Sequence, residues 1–382
     1  MTRILVFAVL LAFVTWWLHR RLVRATGLGR PWSLVADASL VALWAAAVVG
    51  TGTGEVFDTG WARPAGFLGW VWLGALLYLI LGLLVLSLWS LCGRLVARLR
   101  RGEKPVDESR RRTLRIASAV VVLAAVGTAG YGVAEAASPR IVRVRVPLRR
   151  LPAEFDGVRV ALVTDLHVGP ARGAGFTRNV VNAVTAEEPD LITLVGDLVD
   201  GTVARVSSDL DPLARLDAPL GVYGVSGNHE FYSDDAGRWL DVWERLGIRT
   251  LRNERVTLTR GGSSIDLAGV HDYSSPKPYE PDLPAALAGR DPSKLVVLLA
   301  HQPRQVLEAS DLGVDLQLSG HTHGGQMWPL GYLVGLQQPS VTGLDRFRNT
   351  VLYTTFGVGA WGPPVRVGAP PEITILELVR DT

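Results

Sequence analysis

The first third of the chain alternates long apolar stretches with short arginine-bearing segments. The stretches are residues 4–18, 34–50, 67–92 and 116–137. A run of about 20 apolar residues crosses a bilayer as a helix, and the third and fourth stretches are that long. The first two are shorter, and alone they would also suit buried helices of a soluble protein. Their tryptophans favour the membrane interface, so the pattern predicts an all-α transmembrane region of about four helices over residues 1–138.

From residue 139 onward, short β-branched runs alternate with amphipathic stretches. The runs predict strands at residues 158–164, 191–195, 222–225, 295–300, 314–319, 351–356 and 373–378. The amphipathic stretches predict helices at residues 176–187, 203–216, 236–246 and 303–310. Residues 256–259 and 265–270 flank a Gly-Gly-Ser-Ser turn and predict a hairpin. This alternation predicts an α/β domain over residues 139–382, with sheets covered by helices.

Charge is distributed unevenly between these two parts. Residues 1–138 carry 15 Lys and Arg against 7 Asp and Glu, whereas residues 139–382 carry 24 against 29. The overall charge of +3 therefore averages two unlike regions. The arginines flank apolar stretches instead of forming one basic face, so we expect no nucleic-acid partner. Cys92 is the only cysteine, which excludes an intrachain disulfide.

The positions of the basic residues also predict an orientation. The segments after the first span and between the third and fourth spans hold 13 Lys and Arg, against 7 on the opposite side. The positive-inside rule places the 13 in the cytoplasm and the C-terminal domain outside it. Five arginines after the last span weaken this prediction, and contact with anionic headgroups is a second interpretation for them. We therefore expect a multi-pass protein of the cell membrane with an extracytoplasmic domain.

Residues 109–115 (SRRRTLR) precede the fourth apolar stretch and resemble the twin-arginine export signal. The stretch ends in Ala134-Glu135-Ala136, a small-residue pattern similar to a signal-peptidase site. An ordinary cytoplasmic arginine cluster is an equal alternative. Both interpretations put the C-terminal domain outside the cytoplasm, and they leave open whether the chain is cleaved after Ala136.

Polar motifs follow five of the predicted strands. They are Asp165-Leu166-His167, Gly196-Asp197, Gly227-Asn228-His229-Glu230, His301 and the segment from Gly320 to Gln326 (GHTHGGQ). Open α/β sheets gather ligands at the carboxyl ends of their strands. A pair of divalent metals about 3.5–4 Å apart needs carboxylate and imidazole ligands, one of which bridges both ions. The carboxylate of Asp197 can bridge two metals, because it offers two oxygens.

These motifs together resemble those of the calcineurin-like metallophosphoesterase superfamily over about residues 158–378. Gly324-Gly325-Gln326 and the closing segment 362–373 (GPPVRVGAPPEI) are similar to its membrane-linked bacterial branch, in which some relatives hydrolyse a lipid A precursor pyrophosphate. The resemblance implies a four-layer α/β/β/α sandwich after the transmembrane region. It implies one metal held by Asp165, His167, His323 and Asp197, and a second held by Asp197, Asn228, His301 and His321. The implied reaction is attack on phosphorus by a metal-bridging hydroxide.

The same resemblance assigns residues around the metals. His229 would donate a proton to the leaving oxygen or stabilise the phosphoryl charge, and Glu230 would orient the ligands. Arg366 is a candidate for binding a substrate phosphate, with ordinary solvation as the alternative. His271 is expected at the substrate's edge or in a structural role, and Trp328, Phe356 and Trp361 either border an acyl-chain groove or pack in the core. Mn, Fe and Zn all suit the donors, and the resemblance favours Mn or Fe.

The sequence therefore predicts a metal-dependent phosphoric ester hydrolase anchored in a membrane. Its substrate would be a phosphate monoester or diester, with lipid-linked esters and pyrophosphates included. A non-catalytic metal-binding envelope scaffold is one alternative. A cytoplasm-facing protein phosphatase or nucleotidase is the other, and it requires the reverse topology.

Overall fold

A computed structural model of the protein describes residues 2–99 and 107–381. The chain divides into two compact units. The first comprises Met1–Ala134 with Gly362–Val365, and the second comprises Glu135–Trp361 with Arg366–Thr382. The domain boundary predicted at residue 138 lies close to this division. The division into residues 1–138 and 139–382 stays a proposal.

The described residues of the first unit form four long helices. They are α1 (Thr2–Leu18), which continues as a π-helical turn over His19–Arg24, α2 (Arg30–Gly52), α3 (Thr59–Leu99) and α4 (Asp107–Ala136). All four are long and apolar enough to cross a membrane, over Thr2–Arg24, Arg30–Gly52, Thr59–Gly93 and Arg112–Ala136. Each predicted apolar stretch lies within one of these helices, except that Ala137 follows the end of α4. Arg100, Arg101 and Lys104, which entered the orientation argument, lie outside the described residues.

Small residues bring α2 and α3 into close contact. A Cβ on Gly69 of α3 would lie 2.2 Å from the carbonyl oxygen of Ala46. Backbones approach this closely in membrane helix pairs because van der Waals packing has to replace the hydrophobic effect there. Residues 109–115, with the twin-arginine-like pattern, lie in the first turns of α4. Their use in export stays a prediction.

The second unit contains two six-stranded mixed sheets. The strands of the first sheet are β1 (Arg140–Leu148), β2 (Arg159–Val163), β3 (Leu191–Val195), β4 (Val222–Val225), β5 (Arg249–Thr250) and β12 (Glu372–Arg380). The strands of the second are β6 (Glu254–Arg260), β7 (Ser263–Gly269), β8 (Val296–Leu299), β9 (Leu316–Ser319), β10 (Gly343–Phe347) and β11 (Thr350–Thr354). The spatial orders are β1-β12-β2-β3-β4-β5 and β10-β11-β9-β8-β7-β6.

Strand direction places the candidate ligands. Strands β2, β3, β4 and β5 are mutually parallel, and so are β7, β8, β9 and β11. Parallel neighbours end at the same edge of a sheet, so the loops that follow them meet there. The polar motifs occupy these loops.

Period-two burial in the strands builds the layers. In β2, Val160 and Leu162 face the core between the two sheets, whereas Ala161 and Val163 face helices. In β8, Val297 and Leu299 face that same inter-sheet core, and the remaining two strand residues face the helical layer beyond. The two sheets therefore pack face to face between helices, as the predicted four-layer α/β/β/α sandwich requires.

Seven helices accompany the sheets. They are α5 (Ala174–Ala186), α6 (Val203–Val206), α7 (Asn228–Ser233), α8 (Ala236–Arg245), α9 (Leu283–Ala286), α10 (Val306–Asp311) and α11 (Gly331–Val334). The single helix predicted at residues 203–216 is α6 followed by a 3₁₀ segment, Ser207–Arg215. Pro212 lies inside that segment and cannot donate an α-helical hydrogen bond.

The five arginines after the last span belong mostly to β1, which the sequence analysis did not predict. Arg143 is paired with Glu187 at 2.7 Å, and Arg150 with Asp315 at 2.6 Å. Arg140 contacts Glu135, and the other two lie within 4 Å of carboxylates on β12 and just after it. These charges are therefore matched within the second unit.

Candidate metal centre

The loops at the carboxyl ends of the strands bring the predicted ligands together. Asp165 follows β2, Asp197 follows β3 and Asn228 follows β4, while His301 and His321 follow β8 and β9. Their side chains are buried or nearly so, with Asp165 and His301 fully inaccessible to solvent. Distant parts of the sequence therefore converge at one buried place.

The backbone is strained at most of these positions. Asp165, His167, Asp197, His321 and His323 all have positive φ, between 49° and 70°. A side chain in this left-handed region costs about 1–3 kcal/mol and persists where the surroundings impose it, most often at functional sites. Five such residues in one cluster indicate that the loops are shaped for the placement of these side chains.

One group consists of Asp165, His167 and His323, whose donor atoms lie within 4.8 Å of one another. The Nε2 atom of His323 lies 3.2 Å from Oδ1 of Asp165, and that of His167 lies 3.8 Å from it. The two Nε2 atoms are 3.0 Å apart. Imidazole nitrogens and a carboxylate oxygen that face one point suit a divalent transition metal.

A second group consists of Asp197, His301 and His321. His301 donates from Nδ1 to the carbonyl oxygen of Val195 at 2.7 Å, which leaves its Nε2 atom 3.0 Å from Oδ2 of Asp197. A histidine fixed in this way presents an unprotonated Nε2 to a metal. The same Oδ2 lies 3.9 Å from Nε2 of His167, so Asp197 is adjacent to both groups.

Unsatisfied polar atoms test whether these residues fit a metal. Within the part of the chain that is described, Oδ1 of Asn228 and Nε2 of His301 are buried without a hydrogen-bond partner. An orphaned buried polar atom costs about 1–3 kcal/mol. A cation beside Asp197 would satisfy Nε2 of His301, which lies 3.0 Å from that carboxylate, and the amide oxygen of Asn228 is itself a metal donor, so the donor set fits divalent metals.

Asp200 is a site residue that the sequence analysis missed. Its Oδ1 accepts hydrogen bonds from Nδ1 of His167 at 2.9 Å and from Nδ1 of His229 at 2.6 Å. It therefore fixes both rings and leaves both Nε2 atoms available. His229 also forms a third potential metal-binding group with His167 and Asp197. Asp200 lies three residues after Asp197 in the same loop, and this position was the sequence signal by which it could have been found.

Neighbouring charges in the cluster shift the pKa values of its buried acids and histidines. Burial lowers the pKa of His167, but the carboxylates of Asp200 and Asp165 outweigh it and raise that pKa to about 10. Burial raises the pKa values of Asp197 and Asp200, yet the neighbouring histidines outweigh it and hold both well below their usual range. The carboxylates are therefore ionised in a buried site, where positive charge is required to balance them.

Glu230 connects two of the loops. This fully buried carboxylate accepts hydrogen bonds from the backbone amides of Asp197 at 3.0 Å, Leu198 at 2.8 Å and Gly227 at 2.7 Å. Burial, together with the charge of Asp197, raises its pKa to about 7. A Cβ on Gly227 would lie 2.2 Å from Oδ1 of Asp197, so only glycine fits there. Glu230 thus holds the loop of Asp197 against that of Asn228.

Arg366 does not face a substrate. Its side chain is fully buried and donates to the carbonyl oxygens of Gly359 at 2.7 Å, Phe356 at 2.8 Å and His323 at 2.9 Å. The expected contact with a substrate phosphate is therefore wrong for this position, and so is the solvated alternative. The guanidinium instead fixes the loop that carries His323.

The remaining candidates lie around the cluster. His271 is nearly buried, belongs to none of the potential metal groups, and has a pKa lowered to about 4 by burial and by Arg252. Phe356 is partly buried, whereas Trp328 and Trp361 are 61% and 58% exposed. Core packing, one of the two interpretations offered for these aromatics, is therefore wrong for both tryptophans.

Comparisons with known proteins identify the family of this chain. Residues 158–325 match the calcineurin-like phosphoesterase family. A transmembrane protein with metallophosphoesterase domain from Danio rerio is 34% identical over 326 residues, covering 80% of this chain and 74% of the relative. The chain belongs to the calcineurin-like phosphoesterase family. An uncharacterized metallophosphoesterase of Helicobacter pylori is 39% identical, over 64% of this chain and 65% of its own length.

Membership in this family makes the protein a phosphoester hydrolase. A dimetal phosphatase of Danio rerio is a similar solved structure at 13% identity and a TM-score of 0.35, covering 53% of this chain and 88% of that one. The Danio rerio transmembrane relative and a Bos taurus relative of the same description, together with the four apolar helices, support association with a membrane.

Proposed function

We propose that this protein is a membrane-anchored phosphoesterase with two adjacent metal ions. The carrying observation is the position of Asp197, whose Oδ2 lies 3.0 Å from His301 and 3.9 Å from His167. One carboxylate next to two ligand groups is what a bridged metal pair requires. Its substrates would be phosphate monoesters, diesters or pyrophosphates.

The ligand groups assign the donors. Asp165, His167 and His323 would hold the first ion, and Asn228, His301 and His321 the second, with Asp197 shared. Two divalent cations in these places would supply positive charge to the phosphate oxygens and lower the pKa of the attacking water. Mn, Fe and Zn all suit the set of imidazole, carboxylate and amide donors, and we favour Mn or Fe.

His229 would act as the proton donor to the leaving oxygen. Its Nδ1 is held by Asp200 at 2.6 Å, and its side chain is 12% exposed, unlike the fully buried His167. Burial lowers its pKa, but Asp197 and Asp200 outweigh this and raise it. An oriented and accessible imidazole is suited to general acid catalysis.

We further propose that the protein spans the membrane several times and that its second unit, taken as residues 139–382, lies outside the cytoplasm. The distribution of basic residues supports this orientation.

Hydrolysis of bis-p-nitrophenyl phosphate by the full chain in lipid nanodiscs tests the proposed function. We expect a rate that depends on Mn²⁺, Fe²⁺ or Zn²⁺ and is lost with a chelator. His229→Gln should lower kcat by about 10²–10⁴-fold while the metal content is retained. Loss of metal in this variant would instead make His229 a ligand.

Asp197→Asn and Asp211→Asn form a matched pair for the same assay. Asp211 is exposed on the 3₁₀ segment, so its substitution should change neither metal content nor rate. Asp197→Asn should lower both. Full activity of Asp197→Asn, or two bound metals without turnover of monoester, diester or pyrophosphate, would contradict the proposal.

A further inference from the structure

An exposed apolar segment directly follows the last pair of histidines. Residues 324–344 contain no charged side chain. Four large residues in this stretch project into solvent: Trp328 is 61% exposed, Tyr332 75%, Leu333 60% and Leu336 82%. Tyr332, Leu333 and Leu336 lie on α11 and the turn after it, and the spacing of Leu333 from Leu336 places these two on one face. Residues 328–336 are called the apolar segment below.

The apolar segment is held firmly at both ends. The Trp328 amide donates to the carbonyl of Val367 at 2.9 Å. Beyond the other end, the buried Gln338 side chain accepts from the Arg304 amide and donates to Gln302, each at 3.1 Å. The exposure is therefore a fixed feature of the fold and is not the result of a loosely held loop.

The apolar segment also adjoins the proposed catalytic histidine. Gln326 donates to the carbonyl of Trp361 and accepts from its amide, both at 2.8 Å. The half-exposed Trp361 ring lies edge-on to His229, with 6.1 Å between the ring centroids. Gln326, two residues before the segment, thus fixes the Trp361 backbone, and the Trp361 ring lies against the side chain that would face the leaving group.

Chain connectivity indicates what covers the apolar segment. Helix α4, which contains a candidate membrane span, ends at Ala136, and β1 begins at Arg140. The intervening residues, fully extended, reach only about 10 Å, so the second unit stays beside the bilayer. Tryptophan, tyrosine and leucine without neighbouring charge are the residues that favour the interfacial layer of a membrane.

We propose that the apolar segment and Trp361 insert their side chains into the interfacial layer of the lipid bilayer, so that the metal centre receives amphiphilic phosphoesters from the membrane. The substrate part rests on the proposed function, whereas the docking part does not. A second copy of the chain or a protein partner would cover the surface differently, and the experiment distinguishes both.

A fluorescent label tests the docking. In a full-length Cys92→Ser background, Leu336→Cys carries an environment-sensitive fluorophore, and the chain is placed singly in nanodiscs. Thr259→Cys is the control, because exposed Thr259 pairs with Ser264 near the start of β7, at the end of the sheet opposite the metal ligands. Lipids brominated in their acyl chains should quench the label at 336 by about twofold or more, and iodide should quench only the control.

Two results would overturn the docking. In one, the label at 336 responds to iodide as the control does; in the other, it is shielded from iodide but insensitive to brominated lipid. The second result would mean that protein covers the surface. Tyr332→Cys, at a residue of similar exposure, repeats the test if Leu336→Cys does not fold.

Substrate preference tests whether the metal centre receives its substrate from the membrane. The double variant Leu333→Ser/Leu336→Ser should hydrolyse hexadecyl p-nitrophenyl phosphate in nanodiscs about tenfold more slowly, while its rate on soluble bis-p-nitrophenyl phosphate stays unchanged. Equal effects on both substrates would contradict delivery from the membrane. Absence of hydrolysis by the unmodified chain would refute the proposed function and leave the labelling result intact.

Discussion

Among single residues, Asp197 is the one on which the proposed metal pair depends most. Its Oδ1 accepts from the amide of His229 at 2.8 Å, and its Oδ2 faces His301 and His167. Glu230 fixes its backbone amide, and Gly227 leaves room for its carboxylate. These contacts explain why a residue with positive φ stays in place: neighbours on three loops define its position.

Asp200 provides the first residue-scale prediction. Asp200→Asn replaces an ionised acceptor for two imidazoles with a neutral amide of similar size, so the rings of His167 and His229 lose their orientation. We expect kcat to fall by about 10–100-fold, the range typical of residues that orient ligands. Activity assays beside Asp211→Asn check this, and an unchanged rate would show that Asp200 does not position either ring.

Arg366 provides the second. Arg366→Lys keeps the positive charge but cannot reach the carbonyls of Phe356, Gly359 and His323 together. We expect metal affinity to fall by about 10–100-fold, with KM unchanged at saturating metal. Metal titration and steady-state kinetics separate the two quantities. A rise in KM with normal metal binding would return Arg366 to the substrate-binding role that its burial argues against.

The sequence was informative about ligands and less so about the residues that support them. Asp165, His167 and the other predicted ligands could be recognised because each follows a predicted strand. The contacts of Asp200 and Arg366 could not be predicted, because they depend on how loops from separate strands fold against one another. Exposure of Trp328 and Trp361 was equally hidden, since an aromatic residue in a loop suits either a core or a surface.

At the element scale, the two sheets form the scaffold that aims the loops. The inter-sheet core contains alternate residues of the central strands, including Leu162, Leu267 and Leu299. Removal of apolar atoms from this core leaves a cavity that the neighbours fill only partly. Damage there should affect the stability of the whole domain before it affects the chemistry of the site.

Leu267→Ala tests this role. The side chain on β7 is fully buried between the sheets, so we expect a loss of about 2–5 kcal/mol in the free energy of unfolding. Leu307→Ala on α10 is the control, because Leu307 is 54% exposed. Thermal unfolding in detergent compares the two. Equal midpoints would mean that the two sheets do not share a tightly packed core.

Strands with strong apolar runs were predictable, and weak ones were not. Runs such as 191–195 and 222–225 became β3 and β4 with unchanged bounds. β1 alternates arginine with valine and has a partly exposed surface, so its pattern resembled a basic linker. β10 contains exposed Asp345 and Arg346 and owes its strand conformation to pairing with β11. Tertiary pairing decides such edge strands, and local propensity does not.

At the scale of the whole molecule, four apolar helices precede a domain whose active site would act on phosphoesters. The orientation proposed for that domain decides which substrates it can meet. Fusion of a green fluorescent protein or an alkaline phosphatase to the C-terminus tests it. We expect an active phosphatase and a dark fluorescent protein, because the positive-inside rule places this end outside the cytoplasm. Bright fluorescence with inactive phosphatase would reverse the topology and favour a cytoplasmic substrate.

In the proposed metal centre, seven side chains from five loops hold two neighbouring cations. Electron paramagnetic resonance of the full chain loaded with Mn²⁺, combined with metal analysis, tests it most directly. We expect two ions per chain with the spin coupling of a pair about 3.5–4 Å apart, and loss of that coupling in Asp197→Asn. A single uncoupled Mn²⁺ signal that Asp197→Asn leaves unchanged would contradict the account.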